Sequence, residues 1–229
     1  MIKYLGSKRR LLPRLLEVFA ALPDVTTLLD LFSGTARVGH AAKQAGMAVT
    51  CNDHNTYALV LARALVQADG ARWRDEAGER LLELAALPPR DGWFTETYCR
   101  QARYLRPENG ARVEAMREAI AAWSAAGELH EDLEAILLTS LLLAADRVDS
   151  TLGVQMAYLK AWAPRSLQPL ELRLPELTDG EGRRAAQLEA LDAARTLGRH
   201  DVVYLDPPYN QHSYLGNYHV WETLVRWDE

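Results

Sequence analysis

Short apolar-rich stretches fall at four places, residues 26–32, 48–52, 185–190 and 202–205, the last of them an unbroken apolar run. Runs of this length, bounded by turn-forming residues, predict strands buried in a parallel sheet. Between and beyond them the apolar period lengthens to that of helices. Residues 11–21 place Leu11, Leu12, Leu15, Leu16 and Phe19 inward, with Pro13 in the first turn, where its missing N–H costs little. Residues 55–68 place Leu59, Val60, Ala64 and Leu65 inward. Further helices are predicted at 107–126, 131–147, 191–197 and 218–227. In the last, Tyr218, Trp221, Leu224 and Val225 read as core. Strands alternating with helices predict an α/β domain. The break Pro88-Pro89-Arg90-Asp91-Gly92 is followed by helical patterning alone. We therefore expect a discontinuous α/β domain, 1–91 and 176–229, holding a helical insertion at 92–175.

Composition narrows the picture. The chain has 229 residues, 48% hydrophobic and 25% charged, which suffices for a sizeable core. The net charge of −5 excludes a broadly basic surface, so any nucleic-acid contact must come from local patches. The acid-free N-terminus with Lys3, Lys8, Arg9, Arg10 and Arg14 reads as such a patch or as a solvated terminus, and Arg100, Arg103 and Arg106, three apart, as a stripe on one helical face or, more commonly for such a run, a solvated face. Residues 146–166 add Asp149, Gln155, Tyr158, Lys160, Trp162 and Arg165, types that touch phosphates and stack on bases. Cys51 and Cys99 have no metal spacing and read as reduced thiols, and His212 and His219 lack partners at ligand spacing, so no metal is expected. The basic N-terminus is interrupted by Pro13, Arg14 and Glu17 and does not read as a signal peptide.

Three turns carry candidate chemistry. The strand at 202–205 ends in Asp206-Pro207-Pro208-Tyr209. The prolines forbid further ladder pairing and leave a rigid turn at a strand's carboxyl end, where open α/β sheets bind ligands. An acid, a proline carbonyl and an aromatic face suit a flat ring bearing an amine: Asp206 accepts one N–H, the Pro207 carbonyl another, and Tyr209 stacks. The strand at 26–32 runs into Ser33-Gly34-Thr35-Ala36-Arg37-Val38-Gly39, a glycine turn opening a helix, with Ala36 where dinucleotide binders have a middle glycine for the pyrophosphate. Asp53 closes the next strand, 19 residues beyond Gly34. An acid there either holds the two hydroxyls of a ribose or caps the helix that starts near Asn55.

Lys3-Tyr4-Leu5-Gly6-Ser7-Lys8, Asp30-Leu31-Phe32-Ser33-Gly34, Asn52-Asp53 and Asp206-Pro207-Pro208-Tyr209 together resemble the adenine-specific DNA methyltransferases of the DNA adenine methylase type, in that family's order along the chain. The resemblance implies a Rossmann-like sheet that uses S-adenosyl-L-methionine (AdoMet) to methylate a flipped adenine in duplex DNA. It implies a cytoplasmic enzyme of bacterial or phage origin, of the kind found in restriction-modification. By motif matching, Tyr4 and Lys8 would line the AdoMet site, and Asp30, Phe32 and Gly34 would hold its methionine part. Asp53 would hold the ribose, and Glu189, at the end of the strand expected at 185–190, would sit near the cofactor adenine. Ala36 and Glu189 depart from the residues more usual in the family. The insertion would carry target recognition. Two other readings compete: methylation of a different exocyclic amine or amide, in cytosine, RNA or protein, and a catalytically silent DNA-binding subunit. Asp206 and the intact motif favour adenine methylation. Only four strands are legible and a helix alone follows the proline motif, so the sheet looks C-terminally incomplete and its Asp206 strand is expected at an edge. A fragment, a split enzyme completed by a partner chain, or self-association would follow.

Overall fold

The computed structural model describes residues 8–155, 161–208 and 214–228. Lys3, Tyr4, Gly6, Ser7, Tyr158, Lys160, Tyr209 and His212 lie outside the described residues. In chain order the elements are α1 (Leu12–Ala21), β1 (Thr27–Asp30), α2 (Arg37–Gln44), β2 (Ala48–Asn52), α3 (Thr56–Ala62) and α4 (Gly70–Ala86). They continue as α5 (Pro107–Ala125), α6 (Glu131–Val148), β3 (Arg184–Ala186), α7 (Ala190–Thr196), β4 (Val202–Tyr204) and α8 (Tyr214–Arg226). The chain divides into two compact units. One lies within Gly6–Trp73 and Glu176–Gln211, and the other takes in Arg74–Pro175 with α8.

The first unit is a four-stranded, fully parallel sheet in the order β3-β2-β1-β4. Leu28, Val49 and Cys51 of its central strands are buried, as parallel strands covered on both faces require. A second cluster packs Leu29, Leu31, Ala186, Ala193 and Leu197 together, with Phe32 against it. Close packing of α2 on β2 depends on Gly39: a methyl group there would lie 2.4 Å from Cys51 Sγ. Among the described residues β4 pairs only with β1, so it is an edge of the sheet. Val203 and Leu205 are 48% and 61% exposed.

Several expectations need correction. β1 stops at Asp30, not at residue 32, because Ser33 N–H turns to bond Asn52 O at 2.9 Å. β3 is Arg184–Ala186 rather than 185–190. The Asn52 side chain takes both backbone groups of Leu188, at 3.1 Å each, and ends the ladder there. Glu189 is thus not at a strand end but is the residue preceding α7. The helix expected at 55–68 ends at Ala62 and widens into a π turn over Arg63–Gln67. Helix α1 buries only Phe19; Leu11, expected inward, is 53% exposed.

Helix α4 was absent from the sequence reading. Its apolar positions Trp73, Ala77, Leu81 and Leu84 follow helical spacing and are buried. Gly70, Gly78 and a dense run of charges obscured that period.

The second unit is helical and held by buried polar groups that find partners. Glu114 on α5 accepts from Phe94 N, Thr95 N and Thr95 Oγ1, capping the π turn Thr95–Gln101. Arg117 donates to the carbonyls of Leu224 and Val225 near the end of α8, and burial draws its guanidinium down to about 10. Gln155 is buried, and its Oε1 accepts from Val220 N and Trp221 N of α8. The expected arginine stripe does not form. Arg100 sits on the π turn and binds Asp91 at 2.6 Å, Arg103 takes a left-handed φ of 61° over the Trp162 ring, and Arg106 pairs with Glu108. Arg165 is bidentate on Asp149, at 2.8 and 2.6 Å.

Candidate active site

Three turns at the carboxyl ends of β1, β2 and β4 bring Asp30, Asp53 and Asp206 near one another within the sheet unit. β1 delivers Asp30, which is buried at 1% exposure. Its Oδ2 accepts from Gly39 N at 3.2 Å, while Oδ1 is buried with no hydrogen-bond partner. Burial, with the carboxylates of Asp53 and Asp206 facing it, pushes the Asp30 carboxyl up to about 7 against the single lowering bond from Gly39. Ser33 Oγ is a second buried polar atom without a partner in the same turn.

The glycine turn is tight and left-handed. Gly34 has φ 51°, and Ala36, which precedes α2, has φ 56° and ψ 19°. The chain can reverse here because Ala36 N returns to Ser33 O at 2.8 Å. Asp53 then locks the turn from β2. Its Oδ2 accepts from Gly34 N at 2.8 Å, and its Oδ1 accepts from Asn55 N and Nδ2, both at 3.0 Å. The carboxylate therefore ties the two turns together and also braces the residue before α3. Sequence reading offered ribose binding or helix capping and did not foresee the bond to Gly34. Phe32 is half-buried against the cluster around Leu29.

β4 delivers the proline turn. Asp206 is half-buried, and Pro207 and Pro208 are exposed beside it. Asp206 Oδ2 lies 2.5 Å from Lys8 Nζ, so two residues assigned separately, one to catalysis and one to the cofactor, form one ion pair. Glu189 is exposed and stands 3.3 Å from His54 Nδ1. The neighbouring Gln187 donates to His54 O and Thr56 Oγ1, which fastens the β3–α7 turn to the β2–α3 turn. Tyr4 and Tyr209, the two aromatic candidates, lie outside the described residues. Among the described residues no group of three His, Cys, Asp or Glu is placed to hold a metal ion, and no helix is long and apolar enough to cross a membrane.

Residues 4–229 match the family profile described as D12 class N6 adenine-specific DNA methyltransferase. The chain belongs to this family. Among curated proteins it is 34% identical over 206 residues to the type II methyltransferase M.NlaIII of Neisseria lactamica, covering 87% of this chain and 60% of that protein. It is 29% identical to modification methylase StsI of Streptococcus sanguinis, over 98% of this chain and 36% of that protein. It is 30% identical to the type II methyltransferase M.CviAII of Paramecium bursaria Chlorella virus 1, over 98% of this chain and 69% of that protein. The chain thus spans from about a third to about two thirds of the length of these relatives. No solved structure matches it. Membership in the D12 family agrees with the motif resemblance, and the four-stranded parallel sheet agrees with the methyltransferase fold that the resemblance implied.

Proposed function

We propose that this D12-family chain transfers a methyl group from AdoMet to the exocyclic amine of an adenine flipped out of duplex DNA. The observation that carries the reading is the convergence of Asp206-Pro207-Pro208 with the Asp30–Gly34 turn on adjacent strands, β4 and β1, at their carboxyl ends.

The residues fit AdoMet. The cofactor is a sulfonium and an ammonium on one chain, and Asp30, Asp53 and Asp206 put three carboxylates around its place. Asp30 Oδ1 and Ser33 Oγ are buried acceptors without partners, which a bound donor would satisfy. Asp30, Phe32 and Gly34 would hold the methionine part, Asp53 the ribose, Glu189 the region of the adenine, and Tyr4 and Lys8 the site's N-terminal wall. When bound, AdoMet supplies an electrophilic methyl group on sulfur.

The chain's own part is to make a poor nucleophile act. The lone pair of the adenine amine is delocalised into the ring. Asp206 and the Pro207 carbonyl each accept one of its N–H bonds, which favours a more tetrahedral nitrogen and stabilises the positive charge that develops on it as N–C forms and S–C breaks; the surplus proton then leaves the nitrogen to solvent. In-line proximity is worth about 7–11 kcal/mol of the barrier. The base must leave the duplex at a cost of a few kcal/mol, and stacking on Tyr209 offsets part of it. Pro207 and Pro208 keep the acceptors rigid without an N–H of their own that would compete for them.

In this reading residues 1–91 and 176–229 form the catalytic domain, and 92–175 carry target recognition. Duplex DNA is the substrate, reached in the cytoplasm of a bacterial or virus-infected cell. The exposed Val203 on edge strand β4 and Leu205 just beyond it suit a partner chain or second copy that extends the sheet. The test is to incubate the protein with methyl-labelled AdoMet and duplex DNA, digest the DNA to nucleosides and locate the label. Label in N6-methyladenine is expected. Label in a cytosine derivative would replace the acceptor, and no label in DNA would overturn the reading.

A further inference from the structure

Lys8 opens a short 3-10 turn, Lys8–Arg10, and its ammonium lies 2.5 Å from Asp206 Oδ2. The side chains of the pair are 19% and 30% exposed, so the contact is largely shielded from water. This ion pair conflicts with what the proposed reaction asks of Asp206. The carboxylate has to accept an N–H from a nitrogen that turns positive as the methyl arrives. An ammonium held on the same carboxylate would stand roughly 5 Å from that nitrogen and disfavour the positive charge that shifts onto it from the more distant sulfonium. It also takes up an acceptor position on Oδ2. Transfer is therefore favoured when Lys8 leaves Asp206 and another group receives its charge.

The donor itself limits the choice. Methyl transfer places the donor's methyl carbon about 3–3.5 Å from the amine that Asp206 holds, with the sulfonium one bond beyond it. The amino-acid tail of AdoMet is then within the reach of a four-carbon lysine side chain anchored beside Asp206. The sulfonium and ammonium of the donor repel Lys8, and its carboxylate attracts it. We propose that Lys8 couples cofactor occupancy to base capture: it holds Asp206 while the cofactor site is empty and moves to the donor's carboxylate when the site fills. Binding is then ordered, with the cofactor arming the acceptor before the adenine enters. The coupling rests on the AdoMet-dependent reading given above and adds to it a reason for the pair.

The experiment reads base capture without turnover. A duplex carries 2-aminopurine next to the target adenine, and its fluorescence rises when that adenine leaves the stack. Wild-type protein is titrated alone, with saturating S-adenosylhomocysteine, which has the carboxylate but no methyl to give, and with saturating 5′-methylthioadenosine, which lacks the amino-acid tail. S-adenosylhomocysteine should raise apparent affinity for the extruded base tenfold or more, and 5′-methylthioadenosine should not. Lys8→Met should capture the base as strongly without ligand as the wild type does with S-adenosylhomocysteine, and a thermal melt confirms its fold. Equal help from both ligands, or undiminished coupling in Lys8→Met, overturns the proposal while leaving the methyltransferase reading in place. Absence of S-adenosylhomocysteine binding by calorimetry, together with no base capture under any condition, overturns both.

Discussion

The two ends of the sheet treat the same side chain in opposite ways. At the amino end, Asp201 precedes β4 and is saturated. Its Oδ2 accepts from Thr26 N and Oγ1 and from Thr27 N and Oγ1, at 2.8–3.1 Å. Those bonds, led by the Thr26 amide, draw its carboxyl down to about 2. Asp201 is a staple between β4 and β1. At the carboxyl end of β1, Asp30 has one long bond from Gly39, an oxygen with no partner and two facing carboxylates, and its carboxyl is pushed up to about 7. A fold satisfies the polar groups that serve it alone. Where it leaves buried acceptors unsatisfied and like charges crowded, a ligand is the physical explanation to test first.

The comparison breaks most visibly in Asp206→Ala against Asp201→Ala. The first should lower methyl transfer by at least about 10²–10³-fold, the scale for removing one aimed electrostatic partner, with the thermal midpoint nearly unchanged. The second should lower the midpoint and leave the transfer rate per folded molecule near wild type. Initial rates with labelled AdoMet and parallel melts decide it. Equal activity in both variants would show that the two ends of β4 do not divide labour in this way.

The two ends also predict opposite pH slopes. Asp30 has a raised folded-state pKa, so the native protein holds its proton between about 4 and 7 where the unfolded chain does not. Its contribution to stability therefore falls as pH rises through that window. Asp201 has a lowered pKa, so its contribution is present above the ordinary value of 3.8 and is lost as pH falls towards 2. A cationic cofactor favours ionised Asp30 and releases its proton. AdoMet affinity should rise by up to about tenfold per pH unit below 7 and flatten above it. Calorimetry across this range, with Asp30→Asn as the variant expected to lose the slope, checks the point.

What the sequence made legible follows from how local each cause is. β2 was read to the residue because its apolar run ends at Asn52 and Asp53, a boundary written in the chain itself. The end of β3 was misread because Asn52, on another strand, binds Leu188 and stops the ladder. Asp206 and Asp53 were legible as strand-end acids, and Asp30 only through the motif resemblance. The partners of Asp53 and the pairing of Asp206 with Lys8 were not, because only the closed sheet brings those turns together. The arginines at 100, 103 and 106 misled because a spacing of three implies a stripe only on an α-helix. Here the backbone leaves that geometry at the π turn and at Arg103. Helix α4 was missed although its apolar period was present.

Asp53→Ala tests a mixed case, a carboxylate that is partly a staple and partly a ligand candidate. Removing it should weaken AdoMet binding by on the order of 1–3 kcal/mol, the cost of hydrogen bonds lost from a shielded site. It also frees Gly34 N from its 2.8 Å bond. Asp53→Asn keeps an oxygen for Gly34 and separates the two roles. If affinity by calorimetry is unchanged in both variants, Asp53 belongs with Asp201 as a purely structural acid.

The smallest effect expected is at Ala36, and it asks whether the carboxyl end of the sheet also stores backbone strain. Ala36 is fully buried at φ 56° and ψ 19°, in the left-handed region that a Cβ disfavours by roughly 1–2 kcal/mol. Glycine removes that strain and adds about 0.4–1 kcal/mol of unfolded-state entropy to be lost on folding. The two terms partly offset, so Ala36→Gly should stabilise the protein by roughly 0–1.6 kcal/mol. Denaturant unfolding at constant slope reads the difference. The same substitution should leave AdoMet affinity unchanged, because the turn keeps its shape and its bond from Ala36 N to Ser33 O. Clear destabilisation would mean that the turn holds alanine without strain, and that the Ala36 methyl contributes packing which the backbone angle conceals.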